Sequence, residues 1–241
     1  AFANRLKGIR SFIKKTGYST QTSWCPEYDD QRYGWYSAVR ECGPMYFQNI
    51  QNNMPEHLAY VPYVTLRHHW MMSGFYNMND LQCHWQNPAR TNPEFSDAYL
   101  HSQSYAALSS LMGAPSCFML TQFLEPRQRD ELREMISIYK KHRKDIFDSY
   151  VFPIGREPNN ASWTGFQIYH PGKDYGYLMV FRELHNPQKT GNFDLRFLKD
   201  KTIRLTDLET NRSKIIKLDG NMLEVEIEKA PGHKFLKYQI E

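Results

Sequence analysis

Near Asp148 the hydrophobic pattern of this chain changes period, and the two sides of that point do not belong to the same kind of layer. Beyond it, apolar and polar residues alternate in short runs: Gly165 to Tyr169, Tyr175 to Phe181, Asn192 to Leu198, Thr202 to Leu208, Met222 to Ile227 and Phe235 to Ile240. Pro171-Gly172-Lys173, Asn186-Pro187, Asp219-Gly220-Asn221 and Pro231-Gly232 separate them with turn chemistry. Side chains two apart share one face of a strand, so each run buries one face. A series of such runs predicts an antiparallel β-sandwich over 149–241.

Before Asp148 the pattern alternates helical stretches with short apolar runs. Leu6, Ile9, Phe12 and Ile13 share a helical face that ends at Gly17, and Tyr18 to Cys25 then reads as a strand. Pro44 to Phe47 reads as a buried strand opening into a polar mouth of Gln48, Asn49, Gln51, Asn52 and Asn53. Glu56 to Trp70 reads as a helix interrupted by Pro62. Ser96 or Asp97 is placed to cap a helix carrying Tyr105, Leu108, Leu111 and Met112, closed by Gly113. Pro126 opens the clearest helix, with Leu132, Met135, Ile136, Tyr139, Ile146 and Phe147 on one face. This alternation predicts βα units around a parallel sheet over 1–148.

Composition narrows the classes. Hydrophobic residues make up 41% of 241 and charged residues 23%, enough apolar content for a buried core and too much for disorder. No apolar run approaches the roughly 18 residues that span a membrane. Lys plus Arg exceed Asp plus Glu by only four, with the signs interleaved, so neither nucleic acid nor membrane is expected as a partner. The basic stretch Lys140 to Lys144 reads as a solvated helix face.

Cys25, Cys42, Cys83 and Cys117 show no zinc spacing and read as mostly buried thiols, one disulfide remaining open. His68 and His69 are adjacent and diverge on any regular element, so no metal or other cofactor is assigned. Trp24, Trp35, Trp70 and Trp85 crowd the first 85 residues. Mixed with amides and carboxylates in turn-like segments, such rings suit either core packing or a sugar site, where ring faces cover C–H patches. Asn160-Ala161-Ser162 matches the N-glycosylation acceptor pattern, a short motif common by chance.

Several segments, in order, resemble the melibiase clan of glycoside hydrolases, the α-galactosidases and α-N-acetylgalactosaminidases. Lys14 to Tyr28 (KKTGYSTQTSWCPEY) is similar to that family's fifth barrel strand with its C-E-W-P-like turn, and Tyr46 to Asn53 (YFQNIQNN) to its sixth, with an F-x-D-I-x-D-like end. Gly74 to Gln82 (GFYNMNDLQ) resembles the G-W-N-D-P-D-M-L segment after the seventh strand, and Tyr105 to Met119 (YAALSSLMGAPSCFM) the W-A-x-x-x-A-P-L run of the eighth unit.

The resemblance implies the C-terminal half of a (β/α)8 TIM-like barrel followed by an antiparallel β-sandwich, with a carbohydrate as substrate. It places the nucleophile on a K-x-D segment of the fourth strand, ahead of this chain, which opens at Ala1 rather than Met. The family's acid/base Asp falls on Asn49, with Asn52 as its neighbour, and the Arg that precedes it in some members falls on Met45. An amide bonds a hydroxyl but delivers no proton, so the chain by itself is expected to be inactive. A non-catalytic carbohydrate-binding or scaffold protein is the alternative.

Of the carboxylates near the presumed mouth, Glu27, Asp29, Asp30 and Asp80, both Glu27 and Asp80 are open to two readings, relocated acid or surface charge. Asp80 takes the catalytic assignment; Trp24, Cys25, Glu27, Asn49, Asn52 and Asn79 take the sugar contacts. Half a barrel leaves two open sheet edges, so a homo-oligomer joined through them is expected.

Overall fold

The structure, a computed structural model, describes residues 60–94, 96–117 and 121–241. The helix over Asn4–Thr16 and the strands at Tyr18–Cys25 and Pro44–Phe47 lie outside these residues.

The first described helix, α1 (Pro62–Ser73), begins where the sequence reading had an interruption. Pro62 stands at the first helical position, where its missing N–H costs nothing and its fixed φ suits the helix, so it starts the element. A single-turn 3-10 helix, Met78–Asp80, leads into β1 (Gln82–Trp85). The segment Gly74 to Gln82 therefore leads from α1 into β1.

The short helix α2 (Gln103–Leu108) is capped by Ser102, whose Oγ accepts the Tyr105 N–H at 3.0 Å. Ser96, one of the two expected caps, instead accepts the Ala98 N–H in the preceding turn. Leu111 and Met112 are buried in the turn that follows α2, and Pro115 lies inside β2 (Ala114–Cys117). Strands β1 and β2 run parallel, Cys83 opposite Pro115. Among the described residues this is the one parallel pair, and a half barrel is not shown.

Helix α3 (Pro126–Phe147) follows its sequence pattern. Pro126 opens it, and Glu125 and Gln128 form a reciprocal capping box. Leu132, Met135, Tyr139 and Ile146 are buried at helical spacing, while Lys140, Lys141, Arg143 and Lys144 face solvent.

The rest is antiparallel. A six-stranded sheet has the order β3 (Tyr150–Gly155), β4 (Trp163–Tyr169), β5 (Tyr175–Arg182), β10 (Gly232–Ile240), β7 (Thr202–Asp207) and β8 (Ser213–Lys217). A two-stranded ribbon, β6 (Thr190–Asp194) with β9 (Met222–Glu226), covers part of one face. Its alternation is clean: Phe193, Leu223 and Val225 are buried while their neighbours are exposed.

Register assigns the sheet's two faces. Phe166, Met179 and Phe235 align across β4, β5 and β10 and join the cluster that holds Leu132, Met135, Tyr139 and Tyr105. One residue along, Leu178 and Leu236 align and pack with Phe193, Leu223 and Val225 of the ribbon. The central strand β5 is buried on both sides, and the molecule is layered as helices, sheet, ribbon. One apolar cluster thus crosses residue 148, from the βα segment into the sandwich.

Candidate functional site

Parallel strands flanked by helices present ligands at their carboxyl ends, because the loops there leave the sheet together. Beyond Trp85 the chain turns through Gln86 and Asn87. Asn87 is buried; its Oδ1 accepts the Ala89 N–H at 3.1 Å and the Gln103 side-chain amide at 2.6 Å. The Gln103 Oε1, the Asn87 Nδ2 and the Trp85 Nε1 are buried with no hydrogen-bond partner among the described residues. Such unspent polar atoms are costly unless something else meets them. Their chemistry is that of hydroxyl recognition: amides donate and accept, and none of them titrates.

Beside this turn, two carboxylates flank the loop 159–162. Asn160 donates its side-chain amide to Asp97 Oδ2 at 2.6 Å. On the other side Glu183, fully buried, accepts the N–H groups of Asn159 at 3.0 Å and Ser162 at 2.7 Å on one oxygen. Its other oxygen has no partner among the described residues. Burial pushes the Glu183 carboxyl above its usual range, opposed by those backbone N–H groups. Asn160 adopts φ 71°, a left-handed conformation that Asn tolerates better than most residues.

Tyr105, in α2, is coupled electrostatically to both acids, and burial raises its phenol well above the ordinary value. His101 packs edge-on against Tyr105 at 4.9 Å, and burial lowers its pKa. His69 is likewise buried; its Nδ1 lies 2.7 Å from the Ser109 carbonyl, and its pKa falls to about 4, so it is neutral at ordinary pH.

The sites read from sequence are placed unevenly. Trp24, Cys25, Glu27, Asn49 and Asn52 lie outside the described residues. Asn79 and Asp80 sit in the 3-10 turn at the amino end of β1, opposite the end where Asn87 and Gln103 meet. The Asn79 amide donates to the carbonyls of Phe147 and, at 3.2 Å, Ser149, tying the end of α3 to the start of β3; its Oδ1 is buried without a partner among the described residues. Cys83 is a buried free thiol whose pKa burial raises. Among the described residues no three metal-ligating side chains gather, and no helix is long and apolar enough to cross a membrane. Sequence reasoning did not single out Asn87, Gln103 or Glu183, and read Asp97 only as a candidate helix cap. Only the polar run Gln86-Asn87 after an apolar strand carried a signal for any of them.

No protein-family model and no curated protein matches this chain. Solved structures do share its fold. The galactosidase domain of the α-galactosidase-sucrose kinase AgaSK superposes over 75% of this chain and 25% of its own, with a TM-score of 0.58 and 15% identity. The GH36 α-galactosidase AgaA from Geobacillus stearothermophilus, solved with raffinose, gives 0.60 at 10% identity over 75% of this chain and 24% of its own. A noncanonic maltogenic α-amylase, AmyB from Thermotoga neapolitana, gives 0.57 at 10% identity over 99% of this chain and 59% of its own. This chain spans about a quarter of the length of the two α-galactosidases. At these identities the likeness is one of fold.

Proposed function

We propose that this chain forms the C-terminal portion of a glycoside hydrolase acting on terminal α-linked sugars, with the nucleophilic carboxylate supplied from outside its 241 residues. The observation that carries the reading is the order of the fold: parallel strands with their helices, then a six-stranded antiparallel sheet with a ribbon, as in the α-galactosidases and the maltogenic amylase that superpose on it. In this reading residues 1–148 form part of a (β/α) barrel whose other strands come from outside the chain, and the sandwich over 149–241 buttresses it. Asp80 is the candidate acid, and Trp24, Cys25, Glu27, Asn49, Asn52 and Asn79 are candidate sugar contacts. The reaction needs two carboxylates about 5 Å apart if it retains configuration.

The amides at the carboxyl end of β1 favour a second reading, a carbohydrate-binding or scaffold protein without catalysis. Asn87 and Gln103 can hold hydroxyls but cannot shuttle protons.

The test is to read the gene upstream of Ala1 for a strand ending in K-x-D and to assay the encoded polypeptide on aryl α-galactoside and aryl α-maltoside, with calorimetry of the free sugars alongside. Hydrolysis that is absent from residues 1–241 alone is the expected result. Sugar binding without turnover selects the second reading, and neither binding nor turnover overturns both.

A further inference from the structure

The β layers hold a cavity of about 460 Å³ between the β3–β4 connection and the approach to β6, walled on one side by the loop 159–162. Its walls are held by side chains that spend themselves on backbone. Asn159 Oδ1 accepts the Ala161 N–H at 2.9 Å and the Ser162 hydroxyl at 3.0 Å. Asn186 donates to the Ala161 carbonyl at 2.6 Å and accepts the Gln188 N–H at 2.9 Å, bridging the two walls. Trp163 forms the floor, its Nε1 donating to the Gln188 carbonyl at 3.1 Å. Gly191 lies flat on that indole, where a Cβ would stand 2.3 Å from the ring.

Inside this frame four lining side chains are unspent. Arg156, Gln188, Asn192 and Asp194 are exposed and line the cavity, and their side chains make no hydrogen bond or ion pair among the described residues. They comprise one cation, one anion and two amides. A ligand bearing a fixed charge would meet one attractive and one repulsive group, whereas a neutral polyhydroxylated ring can donate to the carboxylate and amide oxygens and accept from the guanidinium and amide nitrogens. The volume lies within the range of small-ligand sites. The half-exposed Met222 adds an apolar surface for ring C–H groups.

We infer that this cavity, on the β-sandwich, is a binding site for a neutral sugar. The inference goes beyond the proposed hydrolase activity and does not rest on it.

The test is a heteronuclear NMR titration of the full 15N-labelled chain with galactose, with maltose and, as a small-polyol control, with glycerol. Saturable shifts confined to the amides of 156–163 and 188–194, given by a sugar and not by glycerol at equal concentration, are expected. Asn192→Ala combined with Asp194→Ala should raise the Kd at least about tenfold, since two or more hydrogen bonds are lost, while the spectrum elsewhere keeps its native dispersion. No saturable shifts with either sugar, shifts that glycerol reproduces, or an unchanged Kd in the double variant would overturn the assignment. Because the shift map comes from the unaltered protein, the result stands even where a variant folds poorly.

Discussion

Glu183 sits in an environment that opposes the ordinary chemistry of a carboxylate. A carboxylate with no exposed surface, satisfied on one oxygen by two backbone N–H groups, carries a raised pKa because burial penalises its charged form more than those donors favour it. The folded state therefore holds this proton more tightly than the unfolded chain does. Linkage makes its contribution to stability complete below the ordinary carboxylate range and progressively lost as pH rises through the raised folded value. Glu183→Gln keeps an acceptor for Asn159 and Ser162 but cannot ionise. Its unfolding midpoint should gain on the wild type as pH is raised and show no gain in acid, by thermal unfolding across a pH series. A difference independent of pH would mean that Glu183 is not the titrating group.

At the scale of elements, the molecule is held by ties between ends as much as by packed faces. Asn79 reaches from the amino end of β1 to the carbonyls of Phe147 and Ser149, where α3 gives way to β3. Asn79→Ala strands those buried carbonyls and should cost about 1–3 kcal/mol in chemical denaturation. If Asn79 instead serves chiefly as a sugar contact, the variant would weaken binding at unchanged stability. What sequence could and could not show follows from the same physics. The helix α3 and the strands β4, β5, β7, β9 and β10 lie against a core on at least one face, so their periods are written in side-chain polarity. The edge strands β3 and β8 carry no such record: Pro153 breaks the pattern of one, and Ser213–Lys217 is exposed along nearly its whole length. The polar knot of Asp97, Asn160 and Glu183 was illegible for another reason. Its members are 63 and 23 residues apart in sequence and meet only once the sheet has docked on the helices.

For the whole molecule, the question is how its sheet edges meet solvent. The six-stranded sheet ends in β3 and β8; β8 carries Lys214 and Lys217, and lysines on an edge discourage pairing with a second sheet. The β8 edge is therefore not where self-association is expected. If the chain does associate, as open barrel edges would require, contacts belong to the segment around β1 and β2. Analytical ultracentrifugation should then give a dimer or larger species whose mass is unchanged by replacing the exposed Ile215 of β8 with Lys. A monomer at every concentration would rule out association through those edges.

The bond from Asn160 to Asp97 has a consequence for how the chain can be made. Asn160 heads the acceptor triplet Asn160-Ala161-Ser162, and the nitrogen that would carry a glycan is the one already donated to Asp97 in the folded state. Ser162, the third member, has its hydroxyl turned to the Glu157 carbonyl and Asn159. Folding and oligosaccharide transfer thus compete for one amide, and the order of the two events decides the product. A host that attaches glycans during translation would block closure of the loop over Glu183, whereas a chain that folds first is closed to the transferase.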